Sequence, residues 1–543
     1  MREVRFTTEH TEHTEPKKLF FSVISVVLPR PRLKLTRCPQ TMRLNWAAAV
    51  GLVTLCAISS RAAENTDTRL LDAIKSDNRE TVRQLVKARV DPNSAEVDGT
   101  TALHWAVRAG DEETVRLLLK AGARAGTANR YGVTPISLAA TNGDAATIEL
   151  LLTAGADANG ASPEGETALM TAARTGSTAA VKVLLGHGAK VNAAEKWQGQ
   201  TALMWAAAQN HRDIIPMLIE GGAEINARSK PLEFGKIAFN GSTMVSTPMP
   251  RGGMTAVMFA ARQGALEGVR ALAEAGADLN LADPDGTSAL VMAIVNGHNE
   301  VATLLLEKGA DPNVADASGM AALYAAVDLH TPGPFINRPS RKPTSTIDNV
   351  ALVKMILDRG GNPNARLRTP TLQRYHNGGD AQLTDGATPL MRAAKSTDLA
   401  IMRLLLDKGA DPNIATRNMT TPLMFAAGLG GGRGRTDDTA VEALSLCLKH
   451  GADVNAFNNA GQTALHIAVE RSNRLVEFLA AEGAELDLKD KDGRTPLDVA
   501  LGVSASGFQG RRGAAPSIVR ESTAALLRQL MSGSAPKTSS APQ

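Results

Sequence analysis

Ten histidines, three cysteines and one glycine-rich run are the side chains here best suited to chemistry, and their spacing decides whether they can act together. A metal centre needs three or four ligands converging on one point. His104 and His466 instead recur at one place in a repeated pattern, His211 and His298 at a second, and His187 and His450 at a third. Such regular placement points to scaffolding, and His10 and His13 are too few for a site. His330 and His376 are the exceptions. They lie on interruptions flanking one unit, at opposite ends of its helices, so joint ligation is not expected. An enzyme or cofactor site, the alternative reading of the chain, would have to be built around His330 or Tyr375-His376.

The other candidates are weaker. Gly428 to Arg435 lacks the Gly-Lys-Ser/Thr ending and the preceding strand of a phosphate-binding loop. No Gly-x-Ser-x-Gly elbow, His-Glu-x-x-His helix or Cys-x-x-Cys-His run occurs. Glu112-Glu113 reads as helix-start charge rather than an acid/base pair. The expectation is therefore no catalytic residue, no metal and no cofactor.

Charge points the same way. The chain carries +4, but ten of its 59 Lys/Arg and only four of its 55 Asp/Glu lie in residues 1–63. The remainder carries −2. Without a basic surplus there is no general means of neutralising phosphates, so no nucleic-acid partner is expected. Cys38 and Cys56 lie in or before the N-terminal leader, which leaves Cys447 with no internal disulfide partner.

From Met42 the chain reads as a secretory signal over 42–63: Met-Arg, an apolar run Trp46 to Ile58, then Ser59-Ser60-Arg61-Ala62-Ala63. The run is shorter than the roughly 20 residues of a membrane-spanning helix, which makes a retained anchor the minority reading. Leu55 before Cys56 argues against lipid attachment. Export to the periplasm or outside follows from a cleaved leader, a cytoplasmic role from an unused one. Residues 1–41, with Thr8-Glu9-His10-Thr11-Glu12-His13, read as non-native or disordered sequence ahead of a start at Met42.

What positions all these residues is a repeat. Gly99, Gly132, Gly165 and Gly199 recur at intervals of 33 or 34 residues, each followed by a Thr-[Pro/Ala]-[Leu/Ile] start, as in Thr101-Ala102-Leu103-His104 and Thr134-Pro135-Ile136. Thr before Pro or Ala suits a helix N-terminus. A second helix follows with apolar residues at i, i+3 and i+4, among them Val115/Leu118/Leu119, Ile148/Leu151/Leu152 and Val181/Leu184/Leu185. Cys447, between Leu444 and Leu448, falls in this inward triplet as a small buried hydrophobe. Gly-Ala-x-x-Asn or a close variant, as in Gly155 to Asn159, closes each unit, Gly supplying the left-handed cap. With aromatics at only 3%, the core must be built from Ala, Leu, Val and Met.

These signatures, agreeing in phase over residues 68 to about 500, resemble the ankyrin-repeat family. The resemblance implies an all-α solenoid: eleven to twelve stacked helix-turn-helix units with projecting β-hairpin loops, spanning 64–501. A capping segment at 502–531 and a disordered tail at 532–543 complete the expected layout. Departures are Arg89 where Gly is usual, Pro216 early in a second helix, and Met, Val or Ser in place of the family's His after Leu, with loss of that histidine's hydrogen bond expected. The family's usual role implies a protein–protein interaction scaffold, not an enzyme, that holds an unidentified protein partner on its concave face.

Individuality is expected in four insertions, 227–252, 328–348, 365–384 and 428–438. They gather aromatic and Met side chains that the repeats lack, and Phe234, Phe239, Met244, Met249, Tyr375 and His376 are the expected partner-binding residues. The competing reading has these side chains folding back to cover the solenoid.

Overall fold

The computed structural model describes residues 67–231, 252–330, 345–368, 383, 385–429, 436–503 and 519–533. Within them the chain forms twelve pairs of helices. Pairs 1 to 4 are Arg69–Lys75 with Arg79–Lys87, Ala102–Ala109 with Glu112–Lys120, Pro135–Asn142 with Ala145–Thr153, and Ala168–Thr175 with Thr178–Gly186. Pairs 5 to 8 are Ala202–Ala208 with Ile214–Glu220, Ala256–Gln263 with Leu266–Glu274, Ala289–Val295 with Asn299–Glu307, and Ala322–His330 with Asn349–Asp358. Pairs 9 to 12 are Pro389–Ser396 with Leu399–Asp407, Pro422–Ala427 with Asp437–Lys449, Ala464–Val469 with Asn473–Ala481, and Pro496–Ala500 with Glu521–Met531.

First helices pack on first helices and second helices on second helices along the whole series, giving two layers. The core runs between them: Val115, Leu118, Ile148, Leu151, Leu184, Leu218, Leu305, Leu405 and Leu479 have no solvent exposure. Burying each such side chain contributes about 1.5–3 kcal/mol, and every layer supplies its share. Cys447 belongs to the same interior, where burial pushes its thiol up to about 12.

The helix starts follow from local chemistry. Thr134, Thr167, Thr201, Thr388 and Thr421 accept from the amide of the third helical residue, and Asp111, Asp144, Ser177 and Asp398 do the same for second helices. Asp213 accepts no such bond, because the third residue of its helix is Pro216, which has no amide hydrogen to give. At Arg89 the backbone takes the left-handed conformation, φ 59°, that glycine supplies in the other units.

Glu521–Met531 packs on Pro496–Ala500 and on Asn473–Ala481, as each second helix packs on its partner and its predecessor. The helix expected to cap the array thus packs as the second member of a twelfth pair. The insertion limits also move inward. Ala227–Pro231 stays in the hairpin frame, with the Ser229 amide donating to the Met254 carbonyl at 2.9 Å. Leu367 and Leu383 are buried, Ala322–His330 continues its helix through Asp328, and Asp437 and Asp438 already belong to the helix that follows.

Between pairs, the hairpins are closed by single antiparallel bridges such as Ala95 with Thr101 and Ala161 with Thr167. Two hydrogen-bond ladders tie each hairpin to the next. In the first, an Asn carboxamide donates to the closing glycine's carbonyl of the next unit and accepts an amide two residues later. Asn93 does so with Gly122 and Arg124, Asn159 with Gly188 and Lys190, Asn413 with Gly451 and Asp453. In the second, a tip amide donates to the preceding tip, as Arg130 to Asp98 and Lys196 to Glu164, both at 2.7 Å. Both ladders lapse at one junction. Gly126 stands where Asn is needed, and Pro163 stands where an amide hydrogen is needed. The Pro163 ring packs against Gly132, whose φ of 75° and lack of a Cβ leave room for it. That junction is held at its other end, where Thr175 Oγ1 donates to the Ala140 carbonyl and Ser177 Oγ to the Gly143 carbonyl.

Candidate functional site

The described histidines serve the stack. His104 Nδ1 accepts from the Thr101 amide at 3.1 Å, which places the ring proton on Nε2, 3.0 Å from the Val133 carbonyl of the next hairpin. His466 repeats this with Thr463 and the Arg494 carbonyl. Burial holds both rings below the ordinary histidine value. The loss of this hydrogen bond expected wherever another residue replaces His is only partial: Ser137 Oγ accepts from the Thr134 amide at 3.1 Å, and Met258 Sδ from Thr255 at 3.5 Å. What neither reproduces is the histidine's reach to the next hairpin. His211 and His298 contact the carbonyls of Arg174 and Arg262 in the preceding pair, and His187 contacts Glu149.

His330 lies 3.1 Å from Asp398, whose other oxygen caps the helix Leu399–Asp407 through the Ile401 amide. Asp398 thus joins two pairs structurally. Beside it, Arg392 is 2% exposed, with Nε donating to Asp328 at 2.6 Å and Nη1 to Ser396 Oγ at 2.8 Å. Glu112 and Glu113 pair with Arg116 and Arg83, so they act as surface ion-pair partners. No group of three or more His, Cys, Asp or Glu placed to hold a metal occurs among the described residues. No helix among them is long and apolar enough to cross a membrane.

Phe234, Phe239, Met244, Met249, Tyr375 and His376, the residues expected to anchor a partner, lie outside the described residues, as do 1–41, the leader 42–63 and the tail from 534. The repeats themselves also present large apolar side chains to solvent. Val97, Tyr131, Trp197 and Phe457 are 92%, 67%, 72% and 64% exposed at hairpins. Their presentation is fixed from below. Asn129 Oδ1 accepts from the Tyr131 and Val133 amides, and the Glu195 carboxylate accepts from the amides of Trp197, Gln198 and Gln200. Large apolar groups on a rigid, hydrogen-bonded edge can be buried by a partner at little entropic cost. Tyr131 stands one residue before its turn glycine, Val97 and Trp197 two before theirs, and Phe457 four before Gly461, so no single repeat position marked them in the sequence.

A second surface lies on the first helices. Trp105 and Trp205, two residues after the Leu of the Thr-Ala-Leu start, are half-buried. Lys75 and Arg108 lie 4.8 and 5.4 Å from the Trp105 ring centre, and Arg174 lies 5.3 Å from that of Trp205.

Comparison with known proteins agrees with this architecture. The family profile described as ankyrin repeats (3 copies) matches residues 44–129, 70–162, 136–229, 237–329 and 348–436, well over half of the chain. Ankyrin repeats (many copies) matches 448–500, and a single ankyrin repeat matches 418–459. A putative ankyrin repeat protein of Acanthamoeba polyphaga mimivirus is 32% identical over 81 residues, 15% of this chain and 10% of that protein. The neurogenic locus Notch protein of Drosophila melanogaster is 36% identical over 96 residues, 16% of this chain and 4% of that one. A putative ankyrin repeat protein of Fowlpox virus (strain NVSL) is 35% identical over 92 residues, 17% and 24% of the two chains. The matched stretch therefore spans less than a quarter of each of these relatives.

Proposed function

The chain belongs to the ankyrin-repeat family, and on that footing we propose that it is an exported, non-enzymatic scaffold that holds a protein partner on its concave face and hairpin edge. The family supports a protein–protein interaction role. The observation that carries the finer reading is the set of rigidly presented side chains Val97, Tyr131, Trp197 and Phe457 along one edge, in a stack whose histidines are engaged in holding hairpins and helices together. The leader read at 42–63 supports export. The ends of the interruptions at 231 and 252 and at 368 and 383 mark where they can be removed without cutting the frame.

The test is cross-linking of the full-length protein in its native cell, compared with variants lacking 232–251 or 369–382 and with Tyr131→Ala/Trp197→Ala. The expected result is a defined cross-linked partner, weakened by the tip substitutions and by at least one deletion, with thermal unfolding nearly unchanged. An unaltered cross-link in all variants would remove the edge and insertions from the account. Sequencing the mature N-terminus tests export: a start near Ala63 supports it, and retention of residues from Met42 onward in the mature protein overturns it.

A further inference from the structure

Six residues before the closing glycine, or before Arg89 in its place, the second helices carry an outward column that is cationic in several pairs. In three of them the helix supplies its own counter-charge. Arg83 pairs with Glu80 at 3.6 Å, Arg270 with Glu267 at 3.4 Å, and Lys354 with Asp358 at 2.7 Å. Residues three or four apart on a helix are surface neighbours, which is why these pairs form. In Ile214–Glu220 the same column holds Pro216, while Asp213 and Glu220 occupy both carboxylate places. Both are exposed, Asp213 caps no amide, and neither carboxylate has a hydrogen-bond or ion-pair partner among the described residues. Only the cation is missing.

Space for a cation accompanies the vacant place. Five residues before the closing glycine, other second helices carry a large apolar side chain, such as Leu117, Leu150, Met217 or Leu304, but Leu266–Glu274 carries Ala271. Pro216 and Ala271 line a groove of about 310 Å³ between these two neighbouring helices, with Ala275 also in its wall and Arg212, Asp213 and Glu274 at its polar margin. That volume lies at the low end for ligand sites, roughly 300–1,000 Å³, and suits one long side chain rather than a helix. Arg212 is bonded to Glu267 at 3.0 Å and Glu274 is paired with Lys308 at 3.6 Å. Asp213 is left as the unanswered charge of the groove, and Glu220, one turn beyond Pro216, adds to the negative field.

We propose that the groove between Ile214–Glu220 and Leu266–Glu274 takes a basic side chain of a polypeptide partner, its alkyl stem on Pro216 and Ala271 and its cationic head on Asp213. The partner supplies from outside the charge that Arg83, Arg270 and Lys354 supply within their own helices. Lys and Arg alone join a long apolar stem to a cation, so they match both the wall and the margin. The site lies on the second helices and goes beyond the hairpin edge and concave face of the scaffold reading.

The probe is a photoreactive dipeptide, acetyl-arginyl-photoleucine amide, irradiated with the full chain at low salt and located by mass spectrometry of the digest, with the lysyl and the uncharged citrullinyl forms beside it. Label is expected on peptides spanning 212–220 and 271–275 from the arginyl and lysyl forms, and several-fold less from the citrullinyl form. Asp213→Asn/Glu220→Gln should lower it about fivefold with thermal unfolding nearly unchanged, whereas Asp213→Glu/Glu220→Asp should keep most of it. Pro216→Arg, which restores the column's own cation, should lower it about tenfold or more. Free arginine, whose own carboxylate would meet Asp213, should compete less well than acetyl-arginine amide. Equal groove labelling by the citrullinyl form, or undiminished labelling in Asp213→Asn/Glu220→Gln or in Pro216→Arg, overturns the inference, and stronger competition by free arginine overturns the polypeptide source. Tyr131→Ala/Trp197→Ala should leave the label in place, and its loss there overturns the groove assignment. If the label stays while the cross-link persists in every tip and insertion variant, the edge reading falls and this one stands.

Discussion

Trp105 and Phe425 hold the same place in their repeats, yet Trp105 is half-buried beneath two cations while Phe425 has no exposure at all. The difference extends to their neighbours. In the first six pairs this column is open or half-open at Asp72, Trp105, Leu138 and Trp205 and buried at Thr171 and Phe259; from pair 7 it is buried at Met292, Ala325, Arg392, Phe425 and Ile467 and half-open only at Val499 in the last pair. One helical frame thus carries two kinds of face. An open column offers side chains to a partner, whereas a covered one commits the same positions to stability.

Substitution separates the two. The largest effect should follow Phe425→Ala, which empties a fully enclosed site and should cost about 3–5 kcal/mol in urea unfolding. Trp105→Ala should cost about 1–2 kcal/mol, because much of its ring already meets solvent. Equal losses would erase the contrast. Next in size, Arg392→Ala leaves Asp328 without its buried partner and should cost about 3 kcal/mol, whereas Arg174→Ala breaks a partly exposed pair with Glu166 and should cost at most about 1 kcal/mol.

Two smaller effects test what the halves share. Gly126→Asn should restore the carboxamide ladder by bonding the Gly155 carbonyl and the Asp157 amide, raising stability by about 1 kcal/mol. The site has no neighbouring atom within 4 Å and no left-handed backbone to strain. An unchanged or lower midpoint would show that the lapse in the ladder carries no energetic weight. Least in size is the pH response. His104 and His466 are both held below the ordinary value near 6.5 by burial, so the unfolded chain binds more protons than the folded one as pH falls. Stability should be fully present above that value and decline as pH drops below it. His104→Met and His466→Met should each flatten the curve in calorimetry to a similar extent, one from each half.

The repeat frame was legible because a period near 33 residues leaves its mark in most units: the Thr start, the inward triplet that correctly took in Cys447, and the closing Gly-Ala-x-x-Asn or a close variant. Pro216 and Arg89 could likewise be placed from pattern alone. Burial of the first-helix face could not. Periodicity shows which way Trp105 and Phe425 point, but whether a side chain is covered depends on contacts remote in sequence. The insertion limits failed for a related reason. Ser229, Leu367 and Leu383 look like loop composition, and only the hydrogen bond to Met254 and their burial place them in the frame. Tip residues such as Tyr131 and Trp197 were visible too, but only their exposure in the regular units sets them beside the insertion residues as candidates.

The junction marked by Gly126 and Pro163 has a mechanical meaning. The ladders act as ties along one edge of a laminate, and here both ties are cut while Thr175 and Ser177 still fasten the opposite edge. Such a joint is compliant in one direction only: it can gape at the hairpin side about a fixed pivot, as a book opens at its spine. Bending strain from a load on the tips would concentrate between Tyr131 and Pro163 instead of spreading over all the layers. Three pairs precede this junction, and it differs from the later one at Gly253 and Pro284, where the tip amide is again replaced by proline but the Asn226 carboxamide still accepts the Asp278 amide.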